Sequence, residues 1–167
     1  EEKESHTLEA ILVSPASFAQ LISGKALAGA TFCLLAALVV ILFHAPLFLN
    51  WWVMLLAVML TTAFAVITGL LIGVISDNPA TSGIWGALII LSLSGLTIMQ
   101  FLGRNSWSPV LQSLLSWFPG LHLVNLFQFS MAGSVQHPQL MTSTALLAAE
   151  IGLLVLLIGL FIRRNYQ

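Results

Sequence analysis

The chain has 167 residues, of which 59% are hydrophobic and 7% are charged, and its formal net charge is -1. A soluble domain has about 25% charged residues, so this composition excludes an ordinary soluble enzyme and predicts an integral membrane protein. The single cysteine, Cys33, lies in an apolar run, which excludes a disulfide framework and a cysteine metal site. The charge gives no reason to expect a nucleic-acid partner.

The first segment, residues 1–25, is the only charged, water-compatible stretch of any length, and it holds four of the six acidic residues. Leu8, Ile11 and Leu12 follow the helical spacing i, i+3, i+4. This spacing predicts an amphipathic helix over residues 1–13 with one apolar stripe and one acidic face. Pro15 ends that helix and favours the first turn of a second one, because proline lacks the amide donor that a helix interior needs.

The opening sequence EEKESHTLEAILVSPAS, with Gly-Lys shortly after it, resembles the permease subunits of type-2 ATP-binding-cassette (ABC) exporters. The matching positions are Glu4, Thr7, Leu8, Glu9, Leu12, Val13, Pro15, Gly24 and Lys25. In that family this segment is a cytoplasmic coupling helix between the second and third membrane spans, which rests on the ATPase subunit and transmits its motion. The alternative is an interfacial helix that leads into a span and has no partner.

The resemblance implies that this chain is the C-terminal two-thirds of a six-span permease. It also implies a contact surface for the ATPase, which comprises Glu2, Glu4, Thr7, Leu8, Glu9, Leu12 and Pro15. The implied partners are an ABC ATPase subunit, a second permease half in a homodimer or heterodimer, and the lipid bilayer. ATP would be bound by the partner, so we expect no cofactor in this chain.

Four apolar runs cover residues 26–43, 52–75, 83–102 and 144–162. A helix needs about 20 apolar residues to cross the hydrocarbon core of a bilayer, so each run is a candidate span. The expected fold is an all-α integral membrane protein with four transmembrane helices, preceded by the cytoplasmic coupling helix.

Residues 103–142, between the third and fourth spans, are apolar but repeatedly interrupted by proline and glycine. The helical pieces 111–118 and 121–131 are separated by Pro119-Gly120, and each is too short to cross a membrane. They predict a short external helical hairpin at the interface, a depth that suits Trp107 and Trp117. The hairpin resembles the re-entrant external helices that type-2 exporters place before their last span.

The distribution of lysine and arginine predicts the orientation. With four spans both termini lie on one side, which holds four of these residues, whereas the other side holds only Arg104. Positive residues accumulate in cytoplasmic loops, so both termini are expected in the cytoplasm of a multi-pass cell-membrane protein.

The chain offers no catalytic signature and no metal site. The sequence Gly24-Lys25-Ala26 lacks the first glycine and the hydroxyl residue of a P-loop, and the four histidines are scattered without metal-ligand spacing. We therefore expect no enzymatic activity of this chain, with ATP hydrolysis left to a partner subunit. His122 is expected to be an interfacial polar residue only.

Three features within the spans are candidate functional positions. Glu150 is an acidic residue inside the last span, where a charge costs at least about 2.5 kcal/mol and often marks a path or a gate. Ser92 and Ser94 in the third span line either a path or a helix interface. Gly69 and Gly73 form a G-x-x-x-G pattern, which packs helices together but also occurs by chance. For Glu150 the alternative is an outward position, with the carboxylate directed to the membrane surface and towards Arg104.

Two classes of function remain open from the sequence. The first is the permease subunit of an ABC-type export system, which forms the substrate path and couples it to a separate ATPase. The second is an ATPase-independent secondary transporter, channel or membrane scaffold. Secondary transporters usually carry buried charges, broken helices or inverted repeats, and the spans here are nearly free of charge and show no repeat.

Overall fold

The computed structural model describes residues 18–76, 78–103, 108, 110, 113, 115–134 and 137–166. Within these ranges the regular structure is helical, without strands. The α-helices are α1 (Phe18–His44), α2 (Trp51–Ile75), α3 (Pro79–Gly103), α4 (Pro119–Met131) and α5 (His137–Tyr166). A 3-10 turn, Ala45–Leu47, joins α1 to α2.

In the part of the chain that the structure describes, four helices are long and apolar enough to cross a membrane, in agreement with the number of spans predicted from the sequence. The candidate spans are Gln20–Leu47, Trp51–Ile75, Pro79–Met99 and His137–Arg163. The helices extend beyond the apolar runs, most clearly in α1 and α5. α5 begins at His137, so residues 137–142 belong to the last helix and not to the preceding loop.

The junctions between the spans follow local sequence rules. α1 ends at His44, and Pro46 falls at the start of the 3-10 turn, where its missing amide costs little. At the next junction the Asn78 Oδ1 atom accepts hydrogen bonds of 2.8 Å from both the backbone amide and the hydroxyl of Thr81. Asn78 therefore caps α3, and Pro79 occupies the first helical position, which proline favours.

The protein core lies where α2, α4 and α5 meet. Ala57 and Phe64 of α2, Leu126 of α4 and Leu147 of α5 form one buried cluster. Leu126 and Leu147 are fully buried although the surrounding medium of a membrane protein is itself apolar. In lipid such burial stabilises mainly through close van der Waals packing, because lipid chains are as apolar as leucine. The short helix α4 is thus an integral part of the bundle.

α1 is the peripheral helix of the bundle. It packs along α2, where a Cβ atom on Gly29 would lie 3.6 Å from the Val66 side chain. Its remaining surface carries exposed apolar side chains, including Phe32 and Phe43. A face of this kind is suited to lipid or to another membrane helix.

The predicted coupling helix over residues 1–13, with Pro15, lies outside the described residues. Of the predicted hairpin, the second piece is present as α4, which begins at Pro119. The first piece is described only at residues 113 and 115–118, and it ends in a turn at Ser116 and Trp117. The helix is interrupted before Pro119, as the sequence predicts, because Phe118 has extended backbone angles (φ -87°, ψ 126°).

Candidate functional site: the two ends of the short helix

The C-terminal end of α4 is held by the residues that precede α2. The backbone amides of Leu49 and Asn50 both donate to the carbonyl oxygen of Ser130, at 3.0 and 2.9 Å. The Asn50 side-chain amide donates to the carbonyl of Ala132. The last carbonyls of a helix lack partners within it, and here the neighbouring loop supplies the donors.

Ser130 itself is fully buried, and its hydroxyl donates to the carbonyl of Phe127 at 2.6 Å. Its carbonyl accepts the two amides from the loop before α2. Nearby, Phe48 of that loop is buried with Met54 and Val58, and Phe127 packs against the same cluster. The end of α4 is therefore fixed both by hydrogen bonds and by packing to the junction between α1 and α2.

The N-terminal end of α4 lies against α3. A Cβ atom on Gly120 would lie 3.0 Å from Thr97 Oγ1, 3.2 Å from the Leu93 carbonyl oxygen and 3.3 Å from the Phe118 ring. The two groups of α3 that approach Gly120 are hydrogen-bonded to each other, since the Thr97 hydroxyl donates to the Leu93 carbonyl at 2.6 Å. Glycine permits the close approach of the two helices at this point.

His122 is a buried polar side chain near the start of α4. It is 5% exposed, and neither ring nitrogen has a hydrogen-bond partner. Burial lowers the pKa of His122. The backbone of Ser116 lies close to the ring and opposes part of this change, although it makes no hydrogen bond of normal geometry with the ring. Imidazole is therefore kept neutral, with one N–H donor and one acceptor unused.

Glu150 lies on α5 with its Oε2 atom buried and without a hydrogen-bond partner. The residue is half-buried, and its neighbours Leu147 and Ile151 on the same helix contribute to the core cluster. It therefore lies at the edge of the inward face of α5. The alternative of contact with Arg104 concerns a residue outside the described part of the chain.

The other predicted positions face outwards. Ser92 and Ser94 are exposed on α3, and the Ser92 hydroxyl donates to the carbonyl of Leu88 in its own helix. Gly69 and Gly73 are exposed on α2, and no atom outside the local backbone approaches within 4 Å of a Cβ built on either. Thus the structure does not bring these residues together with Glu150, and among the described residues no side chain packs on Gly69 or Gly73.

The described residues contain no group of three or more histidine, cysteine or carboxylate side chains that could hold a metal ion. An open groove of about 380 Å³ lies between α1 and α2. Its lining is apolar apart from two hydroxyl residues, and comprises Ser23, Ala26, Leu27, Ala30, Thr62, Ala63, Val66 and Ile67. Such a lining accommodates a hydrocarbon chain and offers no polar group that is specific for one ligand.

The sequence did not indicate the roles of Asn50, Gly120 and His122. Asn50 follows an apolar loop, and its contact with Ala132 joins positions far apart along the chain. His122 was expected to be only an interfacial polar residue, and its burial within the protein was not foreseen. The only local signal was that His122 is the single titratable side chain in α4.

Comparison with known proteins identifies the family. Residues 1–160 match the family model described as ABC-2 family transporter protein. The chain belongs to this family. No curated protein and no solved structure matches it. The match includes residues 1–17, where the sequence resembles a coupling helix, and all four candidate spans apart from the last residues of α5. The chain is therefore a membrane permease of the ABC-2 transporter type.

Proposed function

We propose that this permease forms the substrate path of an ABC-type export system and that residues 1–13 couple the path to a separate ATPase subunit. The observation that carries the proposal is the family match over residues 1–160, together with the acidic, amphipathic pattern at the start of the chain. The family works with ATPase partners and forms dimers, so we also propose a second permease half.

The contacts of α1 suggest how movement at the coupling segment would reach the bundle. α1 is continuous from Phe18 to His44, and 27 residues make a rod of about 40 Å. It begins at Phe18, separated from the proposed coupling segment by residues 14–17, and ends at the 3-10 turn that leads to Asn50. A displacement of α1 would therefore act on the junction that holds the C-terminal end of α4.

The exposed surface of α1 supports the role of a moving element. Within the described ranges, the main contacts of α1 are with α2 and the 3-10 turn, whereas α4 packs against α2, α3 and α5. A helix with contacts on one side can shift against its neighbour at lower cost than one enclosed by three. In this mechanism, ATP binding draws the ATPase subunits together, α1 moves, and α4 changes the opening of the path at its own end of the bundle.

Glu150 is the proposed polar element of the path. Its buried, unpartnered carboxylate oxygen is the feature expected of an ionisable group that meets a substrate or a gate within a bundle. Ser92 and Ser94 are exposed on α3 and are proposed to face the path only where a second permease half covers that helix.

A double variant tests the coupling. Leu8→Ala with Glu9→Gln removes one residue of the apolar stripe and one of the acidic face of the proposed coupling helix. We expect normal membrane insertion, reduced co-purification of the ATPase subunit, and transport reduced at least about tenfold, since an interface residue that anchors a helix contributes 2 kcal/mol or more. Glu1→Gln is the matched control. Unchanged transport in the double variant would contradict the proposal.

A further inference from the structure

We propose that the first turn of α4, together with His122, binds the anionic head group, phosphate or carboxylate, of a lipid-like molecule. The site is distinct from the ATPase contact and does not depend on the coupling proposed above. It rests on a helix N-terminus, a buried imidazole without a partner, and the depth at which both lie.

The N-terminus of α4 has the electrostatic character of an anion site. The helix has 13 residues, and the first amides of any helix carry partial positive charge and lack partners within it. Phe118 at the N-cap position provides no side-chain hydrogen bond to them. Of these amides, Leu121 donates to the Phe118 carbonyl at 3.0 Å, and Pro119 has no amide to donate.

His122 is the second and independent observation. The His122 side chain is only 5% exposed, and neither ring nitrogen has a hydrogen-bond partner. Helical side chains lean towards the N-terminus of their own helix, and the ring lies beside the backbone of Ser116, in the turn that precedes α4. The imidazole is thus directed to the same end of the helix as the first amides. A buried polar group in this state requires a partner such as water, an ion or a ligand.

The surrounding charges favour an anion. In α2, α3 and α4 the only titratable side chain is His122. No carboxylate on these helices is available to bind a cation or to pair with the imidazole. The carboxylate on α5, Glu150, does not pair with the imidazole either. Both imidazole nitrogens and the Glu150 Oε2 atom have no hydrogen-bond partner.

The depth of the site matches that of a lipid head group. Gly120 approaches Thr97 and Leu93 of α3, which precede the end of that candidate span at Met99 by two and six residues. These separations correspond to about 3 and 9 Å along the helix axis. Trp117, in the turn beside His122, is 70% exposed, and tryptophan favours the head-group level of a bilayer. Both observations therefore place the first turn of α4 near the end of a candidate span, where head groups lie in a bilayer.

The test uses the full-length protein in phosphatidylcholine nanodiscs, without ATPase. Every histidine other than His122, which in this sequence means His6, His44 and His137, is replaced by glutamine. His122 is isotopically labelled, so that NMR reports on it alone. The probes are dioctanoyl phosphatidic acid, dioctanoylglycerol and inorganic phosphate. We expect phosphatidic acid to shift the His122 resonance saturably and to raise its pKa, because an adjacent anion favours imidazolium. Dioctanoylglycerol, which has the same chains without the phosphate, should leave both unchanged.

Each other outcome is decisive. A site that holds only water would give no saturable shift with any probe, and this result would overturn the proposal. Equal shifts with dioctanoylglycerol would indicate apolar packing alone and would also overturn it. Inorganic phosphate that binds as tightly as phosphatidic acid would retain the anion site but contradict a lipid-like ligand. Stimulation of ATP hydrolysis by phosphatidic acid in the assembled transporter would identify the molecule as cargo, whereas binding without stimulation would identify it as a bilayer lipid.

A variant provides a second measurement. His122→Gln should weaken binding of phosphatidic acid roughly tenfold, as expected for one hydrogen bond to a charged group. His137→Gln, at an exposed position at the start of α5, is the matched control and should bind normally. If His122→Gln does not fold, the resonance of His122 in the histidine-reduced protein still decides the question.

Discussion

The backbone amide of Asn50 donates a hydrogen bond of 2.9 Å to the carbonyl of Ser130, and so joins the start of α2 to the end of α4. The Asn50 side chain adds a second bond, to the carbonyl of Ala132. One residue thus satisfies two carbonyl groups that the end of a short helix leaves without internal partners. Because the same loop is connected to α1, this contact is where a movement of α1 would reach α4.

Asn50→Ala should lower stability and weaken transport. The substitution removes the bond to Ala132 but leaves the backbone bonds to Ser130, so we expect a loss of about 1–2 kcal/mol. Asn78→Ala is the matched control, since loss of this N-cap of α3 costs a similar amount, about 1 kcal/mol. Thermal unfolding and transport are measured for both. Transport reduced equally by the two variants would show that Asn50 acts only through stability.

Gly120→Ala should destabilise the bundle, because the new Cβ would meet the Leu93 carbonyl at 3.2 Å and Thr97 Oγ1 at 3.0 Å. A backbone carbonyl cannot move aside by a simple rotamer change, so overpacking of about 1–3 kcal/mol is expected. Gly152→Ala on α5, where the Cβ meets no atom within 4 Å, should instead be neutral or stabilising by about 0.5–1 kcal/mol. The unfolding midpoints of the two variants, compared with that of the wild type, check this. A neutral Gly120→Ala would indicate that α3 and α4 separate readily.

The pH dependence of stability should change in His122→Gln. Burial lowers the pKa of His122 in the folded protein, so below the ordinary histidine pKa of about 6.5 the unfolded chain binds more protons than the folded one. Stability is therefore fully present above that pH and is lost as the pH falls towards the lower folded-state value. On acidification, the unfolding midpoint of the wild type should therefore fall more than that of His122→Gln. A difference that does not vary with pH would contradict a depressed pKa.

The orientation can be tested by cysteine labelling. Single cysteines in place of Ser106 or Gln136, in a chain with Cys33 replaced by alanine, should react with an impermeant thiol reagent added outside intact cells. A cysteine in place of Gln167 should react only after the cells are opened, because the lysine and arginine distribution predicts that both termini lie in the cytoplasm. The reverse pattern of labelling would invert the topology.

The sequence by itself determined the membrane fold, the number of candidate spans and the family. Long apolar runs require helices because a bilayer offers no partner to backbone amides and carbonyls, and this requirement acts locally along each run. The interruption before Pro119 was equally predictable, since proline removes an amide donor and restricts the residue before it. These features depend on neighbouring residues, and the sequence shows them directly.

Only the tertiary structure decided what α4 does. The sequence predicted a short helix over residues 121–131, and α4 spans Pro119–Met131. Hydropathy does not reveal that Leu126 would be fully buried against Ala57 and Leu147, or that Asn50 would hold the far end of the helix. The same limit applies to His122, whose burial depends on contacts among several helices. In an apolar medium packing follows the shapes of helix surfaces more than the contrast between polar and apolar residues, and the pattern of the sequence contains little information about shape.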